Sequence, residues 1–501
     1  MNDLVEIINT HIPSIASIIT HIVFFIFLIL NISDDFAKIK SFIKKLLNFR
    51  KHVDKIFYSK KREKYNKESC SSDFIKWQVA LMKKLYSPLL KDKQKQNWNI
   101  KFTELFIDGI NYQYEAITLN MKISDFPFKY ICDKQFLETK EKISQPKYSE
   151  ITKENMRFLR KYYRLVKSTI RYPSRLGYML DEIKLNTKNG DWWISAHSGI
   201  YENNVKFSHV LEYEVYKMYK KMLRQHEKIS ELTREELIKQ LPIRNAIHKR
   251  FLETGDESDI LVSGKYRESL LSVQVFVLLR NYNGSYDVLR IRRSANVSSK
   301  AHYLQFIPSG GFEAINDSND FDSQWDNYSL CKVVFRELLE ECFGIDENDK
   351  SLTSINISSD SIYQNKHIKK LVAMLTGDKK NRQAYMELLG LSMSLMGLRH
   401  EFCFILRVDD IDFSKELFSN YESSSAIHLV RIDNLEKASF WYRNRSPNNY
   451  IPNDFEILHC TSAGLFELAQ KSSLYKDALK ITKRINKSKE QSVNEEVLKN
   501  E

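Results

Sequence analysis

The sequence lacks the cysteine and histidine spacings that bind zinc. Its 501 residues include six cysteines, and none of them forms a Cys-x-x-Cys pair. Structural zinc is held by such closely spaced ligands, so we expect no structural zinc. Scattered cysteines are instead typical of reduced thiols in a cytosolic protein. Internal repeats and long low-complexity tracts are also absent, and a composition of 43% hydrophobic and 28% charged residues indicates a globular protein.

Long hydrophobic runs are scarce too, because only residues 15–32 form one. This stretch, IASIITHIVFFIFLILNI, carries no formally charged side chain. At a rise of 1.5 Å per residue, a helix of this length spans about 27 Å, close to the hydrocarbon thickness of a bilayer. The residues ahead of it have neither the positive segment nor the small-residue cleavage site of a signal peptide. We therefore expect one transmembrane helix at 15–32, with a buried core helix as the alternative.

Positive charge is concentrated directly after this run. Residues 33–69 are rich in Lys and Arg, whereas residues 1–14 carry Asp3 and Glu6 and no Lys or Arg. The positive-inside rule then predicts an external N-terminus and a cytoplasmic remainder, in a single-pass protein of the inner membrane. The helical spacing of residues 33–69 predicts a basic juxtamembrane helix on the inner leaflet. The net charge of +13 thus favours a membrane surface first and nucleic acid second.

The rest of the chain divides into three parts. Residues 70–254 have mostly helical periodicity and are interpreted as a cytosolic middle region of mixed, largely helical structure. Residues 255–470 alternate strands with helices and contain the hairpin turn Asn283-Gly284, which predicts an α/β sandwich. Residues 471–501 form a charged tail. The middle region also interleaves aromatic and basic residues, which are either a base-binding surface or ordinary core and rim: Arg171, Tyr172, Arg175, Trp192, Trp193 and Tyr201.

Residues 306–345 contain a strand-like end, a Gly-Gly turn, a polar stretch and an acidic helix. At 100° per residue, Glu337, Glu340 and Glu341 fall within roughly 100° on one helix face. Such like charges repel, but a hard divalent cation reverses the sign because Mg²⁺ and Mn²⁺ prefer carboxylate oxygens. The alternative is a solvated helix face.

The order Gly310-Gly311-Phe312-Glu313, a loop, and then Arg336-Glu337-Leu338-Leu339-Glu340-Glu341 resembles a Nudix box. The family pattern is G-x5-E-x7-R-E-U-x-E-E-x-G-U, with U a bulky aliphatic residue. The resemblance covers roughly residues 255–470. It implies a Nudix α/β/α sandwich that holds Mg²⁺ or Mn²⁺ and hydrolyses a nucleoside diphosphate linked to another group.

The resemblance also implies a role for each residue of the motif. Glu337, Glu340 and Glu341 would be the metal ligands, and Arg336 would orient a carboxylate. Gly310, Gly311 and Glu313 would bring the backbone of the turn close to the diphosphate. Hydrolysis also needs a general base, for which Glu341 is the candidate within the box. Outside it the candidate is Glu401, at the start of a predicted strand, with an ordinary edge-strand acid as the alternative.

Two departures from the family pattern affect the loop and the helix end. The stretch from Gly311 to Arg336 is longer than the pattern, so the acid in its middle has no unique equivalent among Asp317, Asp320, Asp322 and Asp326. Two residues, where the family has one, separate Glu341 from Gly344. The metal-binding helix is unaffected by both changes. Whether the domain cleaves its nucleotide or only holds it stays open.

The layout of the whole chain resembles the Nudix-bearing effectors encoded beside bacterial cyclic-oligonucleotide synthases in antiphage defence (CBASS). That resemblance implies a nucleotide ligand such as a cyclic di- or oligonucleotide, an effect at the inner membrane, and a possible homo-oligomer. Two alternatives remain. One is a Nudix fold that senses a nucleotide while the membrane segment delivers the effect. The other is an ordinary membrane-associated Nudix pyrophosphohydrolase.

Overall fold

A computed structural model describes residues 44–45, 56–120, 143–144, 152–170, 174–185, 192–294, 297, 300–313, 328–344, 361–377, 382–417, 427–437 and 457–500. The chain separates into two compact units, Met1–Lys64 and Tyr65–Glu501. In the first unit the described residues, 44–45 and 56–64, are helical. The fold below is that of the second unit.

The second unit contains twelve described strands. They are β1 (Ile100–Ile107), β2 (Ile110–Asn120), β3 (Ile143–Ser144), β4 (Leu176–Leu185), β5 (Trp192–Ile200), β6 (Ser272–Arg280), β7 (Tyr286–Arg292), β8 (Leu304–Phe306), β9 (Ser309–Gly311), β10 (Ala384–Ser394), β11 (Arg399–Val408) and β12 (His428–Arg431).

Its α-helices pack around these strands. They are α1 (Ser72–Lys95), α2 (Thr152–Val166), α3 (Tyr201–Asn204), α4 (Val210–Gln225), α5 (Arg234–Lys239), α6 (Pro242–Thr254), α7 (Leu330–Cys342), α8 (Ser361–Gln364), α9 (Lys366–Thr376), α10 (Ile432–Leu435), α11 (Cys460–Ala469) and α12 (Ser473–Asn500).

Nine of the strands form one mixed sheet. Its order is β1-β2-β10-β11-β6-β7-β12, with β8 paired to β7 and β9 paired to β6. The pairing of β11 with β6 is parallel, and β2 pairs antiparallel with β10. The hairpin formed by β1 and β2 thus extends a sheet whose other strands all come from residues after 255. The second unit is therefore of the mixed α/β class.

Helices cover both faces of this sheet. Alternate residues of a strand face opposite ways, and in β6 Val273 and Val275 pack in the same core cluster as α7, whereas Phe276 and Leu278 pack with α11. The sheet therefore separates α7 from α11. Any residue of β11 can be assigned to one of these two sides by its position in the alternation.

The predicted transmembrane helix and the single-pass inner-membrane location are wrong. In the part of the chain that the structure describes, no helix is both long and apolar enough to cross a membrane. The two longest helices, α1 and α12, have 24 and 28 residues, and Lys, Arg, Asp or Glu recurs along both of them. Such charges are costly in hydrocarbon. The predicted span, residues 15–32, lies outside the described residues. The same is true of most of residues 33–55, the first part of the basic segment 33–69.

The cysteines also differ from expectation at one position. Cys70, Cys342, Cys403 and Cys460 are free. Cys331, however, is disulfide-bonded, so the expectation of reduced thiols is wrong there. Linear spacing gave no indication of this, because a disulfide depends on proximity in space.

In a smaller sheet, in the order β3-β5-β4, the buried His197 lies between two carboxylates, Asp181 of β4 and Glu268. His197 of β5 donates through Nδ1 to Asp181 Oδ1 at 2.8 Å and through Nε2 to Glu268 Oε2 at 3.2 Å. Burial would lower the pKa of His197, but the hydrogen bonds to both carboxylates outweigh it and raise the pKa to about 9. The imidazole is therefore charged at neutral pH and bonded on both sides.

We expect His197 to make the stability of the protein fall as pH rises. The folded state holds a proton that the unfolded state releases near its ordinary pKa of about 6.5. The stabilisation by the charged imidazole is complete below the unfolded-state pKa of about 6.5 and is lost as pH rises through the folded-state pKa of about 9. The free energy of unfolding should fall by about 3 kcal/mol over this range. Urea unfolding at a series of pH values measures it. The His197→Gln variant should show a flatter profile between pH 6 and 9, and an unchanged slope would contradict this account.

Candidate functional site

Charged side chains of α7 are buried rather than solvated. Ser329 caps the helix by accepting a hydrogen bond from the Lys332 N–H at 3.5 Å. Val334 and Leu338 anchor its apolar face in the core. On the same helix Arg336, Glu337 and Glu341 are only 6%, 6% and 4% exposed, and Glu340 is partly exposed. Buried charges require partners, and the structure supplies them from the Gly-Gly turn.

Arg336 connects α7 to the backbone of that turn. Its Nη1 donates to the Glu313 carbonyl and its Nη2 to the Gly311 carbonyl, both at 2.6 Å. Nη2 also donates to Glu337 Oε1 at 2.6 Å, and Nε lies 3.6 Å from Glu340 Oε1. The planar guanidinium fork suits such a set of separate acceptors, whereas a lysine ammonium would not reach them all.

Gly310 and Ser309 complete the contact between helix and turn. A Cβ on Gly310 would lie 1.9 Å from Glu337 Oε2, so only glycine lets this carboxylate pack against the backbone. The Ser309 N–H donates to Glu341 Oε2 at 2.5 Å. β9, which contains both residues, is held in turn by its antiparallel pairing with β6. The two halves of the motif, which are distant in sequence, therefore form one unit.

Aromatic rings lie at both described ends of the long loop. Phe312, just before it, stacks on Tyr328, just after it, with ring centroids 5.2 Å apart. Tyr178 of β4 packs against both rings at 5.0 and 4.9 Å. The loop acids Asp317, Asp320, Asp322 and Asp326 lie outside the described residues.

The middle region supplies a cation to the site that the sequence did not assign to it. Arg175 Nε lies 3.3 Å from Glu313 Oε2, and both side chains are mostly buried. In the sequence, Arg175 was marked only as one of the interleaved basic and aromatic residues of the middle region. That group gave no reason to place Arg175 beside the Gly-Gly turn.

Glu401 lies away from the acidic helix. It pairs with Ser272, which pairs with Gly311, so it is two strands from the turn. Its alternation partners Cys403 and Ile405 pack with α11, on the face opposite α7. Burial raises the pKa of Glu401, while Arg399 and a hydrogen bond with Thr461 of α11 lower it by less. The structure does not bring Glu401 together with Glu337, Glu340 and Glu341.

The predicted metal ligands share one helix face, but their carboxylates have different neighbours. Glu337 pairs with Arg336, Glu341 accepts from Ser309, and Glu340 lies near the Arg336 Nε. Among the residues with described positions, no group of three His, Cys, Asp or Glu is placed to hold a metal ion. The donor chemistry nevertheless suits Mg²⁺ or Mn²⁺, since all three ligands are carboxylate oxygens.

Cys342, at the end of α7, does not contribute a nucleophile. Burial, together with the nearby Glu341 and Glu337 carboxylates, raises the pKa of its thiol well above the usual range. The thiol is therefore protonated at neutral pH and unreactive.

Among the solved structures that the chain resembles are two with weak similarity. No family model matches the chain, and no curated protein matches it. A bifunctional NMN adenylyltransferase/ADP ribose pyrophosphatase from Francisella tularensis, complexed with AMP and a Mn ion, is similar at 10% identity and a TM-score of 0.21. A second structure of a protein so named, from the same organism, gives 12% identity and a TM-score of 0.18.

These similarities cover 47% and 40% of this chain and 49% and 44% of the other chains. The chain thus spans about half the length of the structures that it matches. TM-scores this low establish neither a shared fold nor a shared activity.

Proposed function

We propose that α7 and the Gly-Gly turn form a divalent-cation-dependent site that hydrolyses a nucleoside diphosphate linked to another group. The observation that carries the proposal is the Arg336 guanidinium, which bonds to the carbonyls of Gly311 and Glu313 and to Glu337. A solvated acidic helix would need no such connection. A turn that brings backbone to a diphosphate beside a carboxylate helix would require it.

Each residue of the site has a defined task in this proposal. Mg²⁺ or Mn²⁺, held by Glu337, Glu340 and Glu341, would neutralise phosphate charge and activate water. Arg336 positions the helix against the turn, and Gly310 leaves room for the Glu337 carboxylate. Glu341 is the candidate general base. Glu401 has no task here, because the sheet lies between it and α7.

A second candidate is a site that binds the nucleotide without cleaving it. The observation that favours it is the dispersal of the three carboxylates among separate partners. Binding of a diphosphate through the turn and Arg175 would not require a metal centre. The role of a cyclic-nucleotide-activated defence effector is not part of either proposal, because its basis was a layout that included the transmembrane helix.

Hydrolysis assays on the full-length protein distinguish the two candidates. ADP-ribose and other nucleoside diphosphate conjugates would be incubated with Mg²⁺, with Mn²⁺ or with EDTA, and the products separated by chromatography. The hydrolytic proposal predicts products only in the presence of metal. Substrate binding in equilibrium dialysis without turnover in either metal would favour the binding candidate and overturn hydrolysis.

A further inference from the structure

One face of α12 packs against the rest of the second unit, and the opposite face is exposed to solvent. Tyr475 and Ala478 are buried, and Tyr475 bonds to Glu436. Thr482 Oγ1 accepts from the Tyr286 N–H at 3.0 Å. One turn further on, Asn486 Nδ2 donates to Asp433 Oδ2 at 2.8 Å. The first half of α12 is therefore part of the packed unit and not a free tail.

The opposite face carries a row of exposed cations, which we call the basic stripe. It consists of Lys476, Lys480, Lys483, Arg484 and Lys487, which line an open groove together with Leu479. At 100° per residue, these five fall within an arc of about 100°. Asp477 is the only acid between residues 476 and 487. Within the described portion of the chain, neither Asp477 nor any stripe residue has a side-chain ion pair.

Like charges spaced one helical turn apart destabilise a helix unless an anion lies near them. The stripe is about 17 Å long at 1.5 Å per residue, which gives one positive charge about every 4 Å. One strand of a nucleic-acid duplex carries one phosphate about every 3.4 Å along its axis. The two linear charge densities are therefore similar.

The composition of the stripe indicates which part of a nucleic acid it would contact. It contains no aromatic side chain, so it offers no platform on which an unpaired base could stack. Among the described residues that line the groove, Leu479 alone is apolar, which is too little apolar surface to insert into a lipid surface. We propose that the basic stripe binds the phosphate backbone of duplex nucleic acid without reading its sequence.

The test is the salt dependence of duplex binding by the full-length protein. Fluorescence anisotropy with a labelled DNA duplex and an RNA duplex of equal length should show binding at low salt. With five phosphate contacts, affinity should fall about 500-fold between 50 and 200 mM salt. Replacing all five stripe residues with Gln should remove most of this slope and weaken low-salt binding by about 100-fold or more. The DNA and RNA arms show which duplex is preferred.

A variant with three replacements elsewhere is the net-charge control for a stripe variant with three replacements. Lys91, Lys239 and Lys249 are exposed lysines on other helices, and their replacement with Gln removes charge without touching the stripe. This control should bind both duplexes about as tightly as the unmodified protein does. A version with only Lys480, Lys483 and Lys487 replaced should be intermediate, and thermal unfolding checks that each variant is folded.

Three results would overturn the proposal. One is no duplex binding by the unmodified protein at low salt, which would make the stripe an ordinary solvated face. Another is an equal loss of affinity in the control variant. The third is binding to vesicles of anionic lipid with none to either duplex.

Discussion

Replacing Glu340 and Glu341 with Gln should abolish metal-dependent hydrolysis while leaving the protein folded. Gln keeps the size of each side chain but removes the negative charge that a divalent cation requires. The metal supplies several kcal/mol of transition-state stabilisation, so we expect kcat to fall by about 1,000-fold or more. The measurement is product formation with Mg²⁺ or Mn²⁺ under saturating substrate.

The control for this variant removes two carboxylates elsewhere. Glu235 and Glu253 are exposed and distant in sequence from the site, and their replacement with Gln should leave kcat within about twofold. Nucleotide binding by the Glu340→Gln, Glu341→Gln protein should persist, because the Gly-Gly turn and Arg175 are unchanged. Hydrolysis by that protein at the rate of the unmodified protein would show that the carboxylates of α7 take no part in the reaction.

Replacing Arg336 with Ala should destabilise the protein by about 3–5 kcal/mol. The change leaves the Glu337 carboxylate buried without its partner, and the carbonyls of Gly311 and Glu313 without a donor. Each buried group left unpaired costs the free energy of its lost solvation. Equilibrium unfolding in urea measures the loss.

Two further arginine variants show whether this effect belongs to the site. Arg336→Lys keeps the charge but cannot bond to all acceptors at once, so its loss should be intermediate. Arg250 lies 3.3 Å from Glu253 in an exposed ion pair. Its replacement with Ala should lower the free energy of unfolding by less than about 1 kcal/mol. A loss below about 1 kcal/mol for Arg336→Ala would mean that the connection between helix and turn is not important for stability.

Local patterns in the sequence predicted the elements that depend on near neighbours. The hairpin turn at Asn283-Gly284 is present between the antiparallel strands β6 and β7, with φ at Gly284 of +84°. The acidic helix is also present. Its apolar spacing and its N-cap residue, Ser329, are both local features of the sequence. Arg336 was singled out by the resemblance to the Nudix box, and its contacts with the turn join residues 23 and 25 positions apart.

Features set by distant parts of the chain were not predictable. The pairing of β2 with β10 joins residues about 270 positions apart, and no local pattern specifies it. The position of Arg175 beside Glu313 depends on another remote contact, between residues 138 positions apart. The side of the sheet on which Glu401 lies depends on strand order, which places α7 and α11 on opposite faces. The transmembrane prediction rested on the apolar run at residues 15–32 and on the basic residues after it, and composition of this kind does not determine how a segment is placed in the folded protein.

The central claim is that the carboxylates of α7 hold a divalent cation. Titration of Mn²⁺ into the full-length protein, followed by electron paramagnetic resonance of the free ion, tests it without any assumption about the substrate. The account predicts that the unmodified protein binds Mn²⁺ and that the Glu340→Gln, Glu341→Gln protein has lost this binding while the Glu235→Gln, Glu253→Gln control retains it. Equal Mn²⁺ binding by all three proteins, or no binding by any of them, would contradict it.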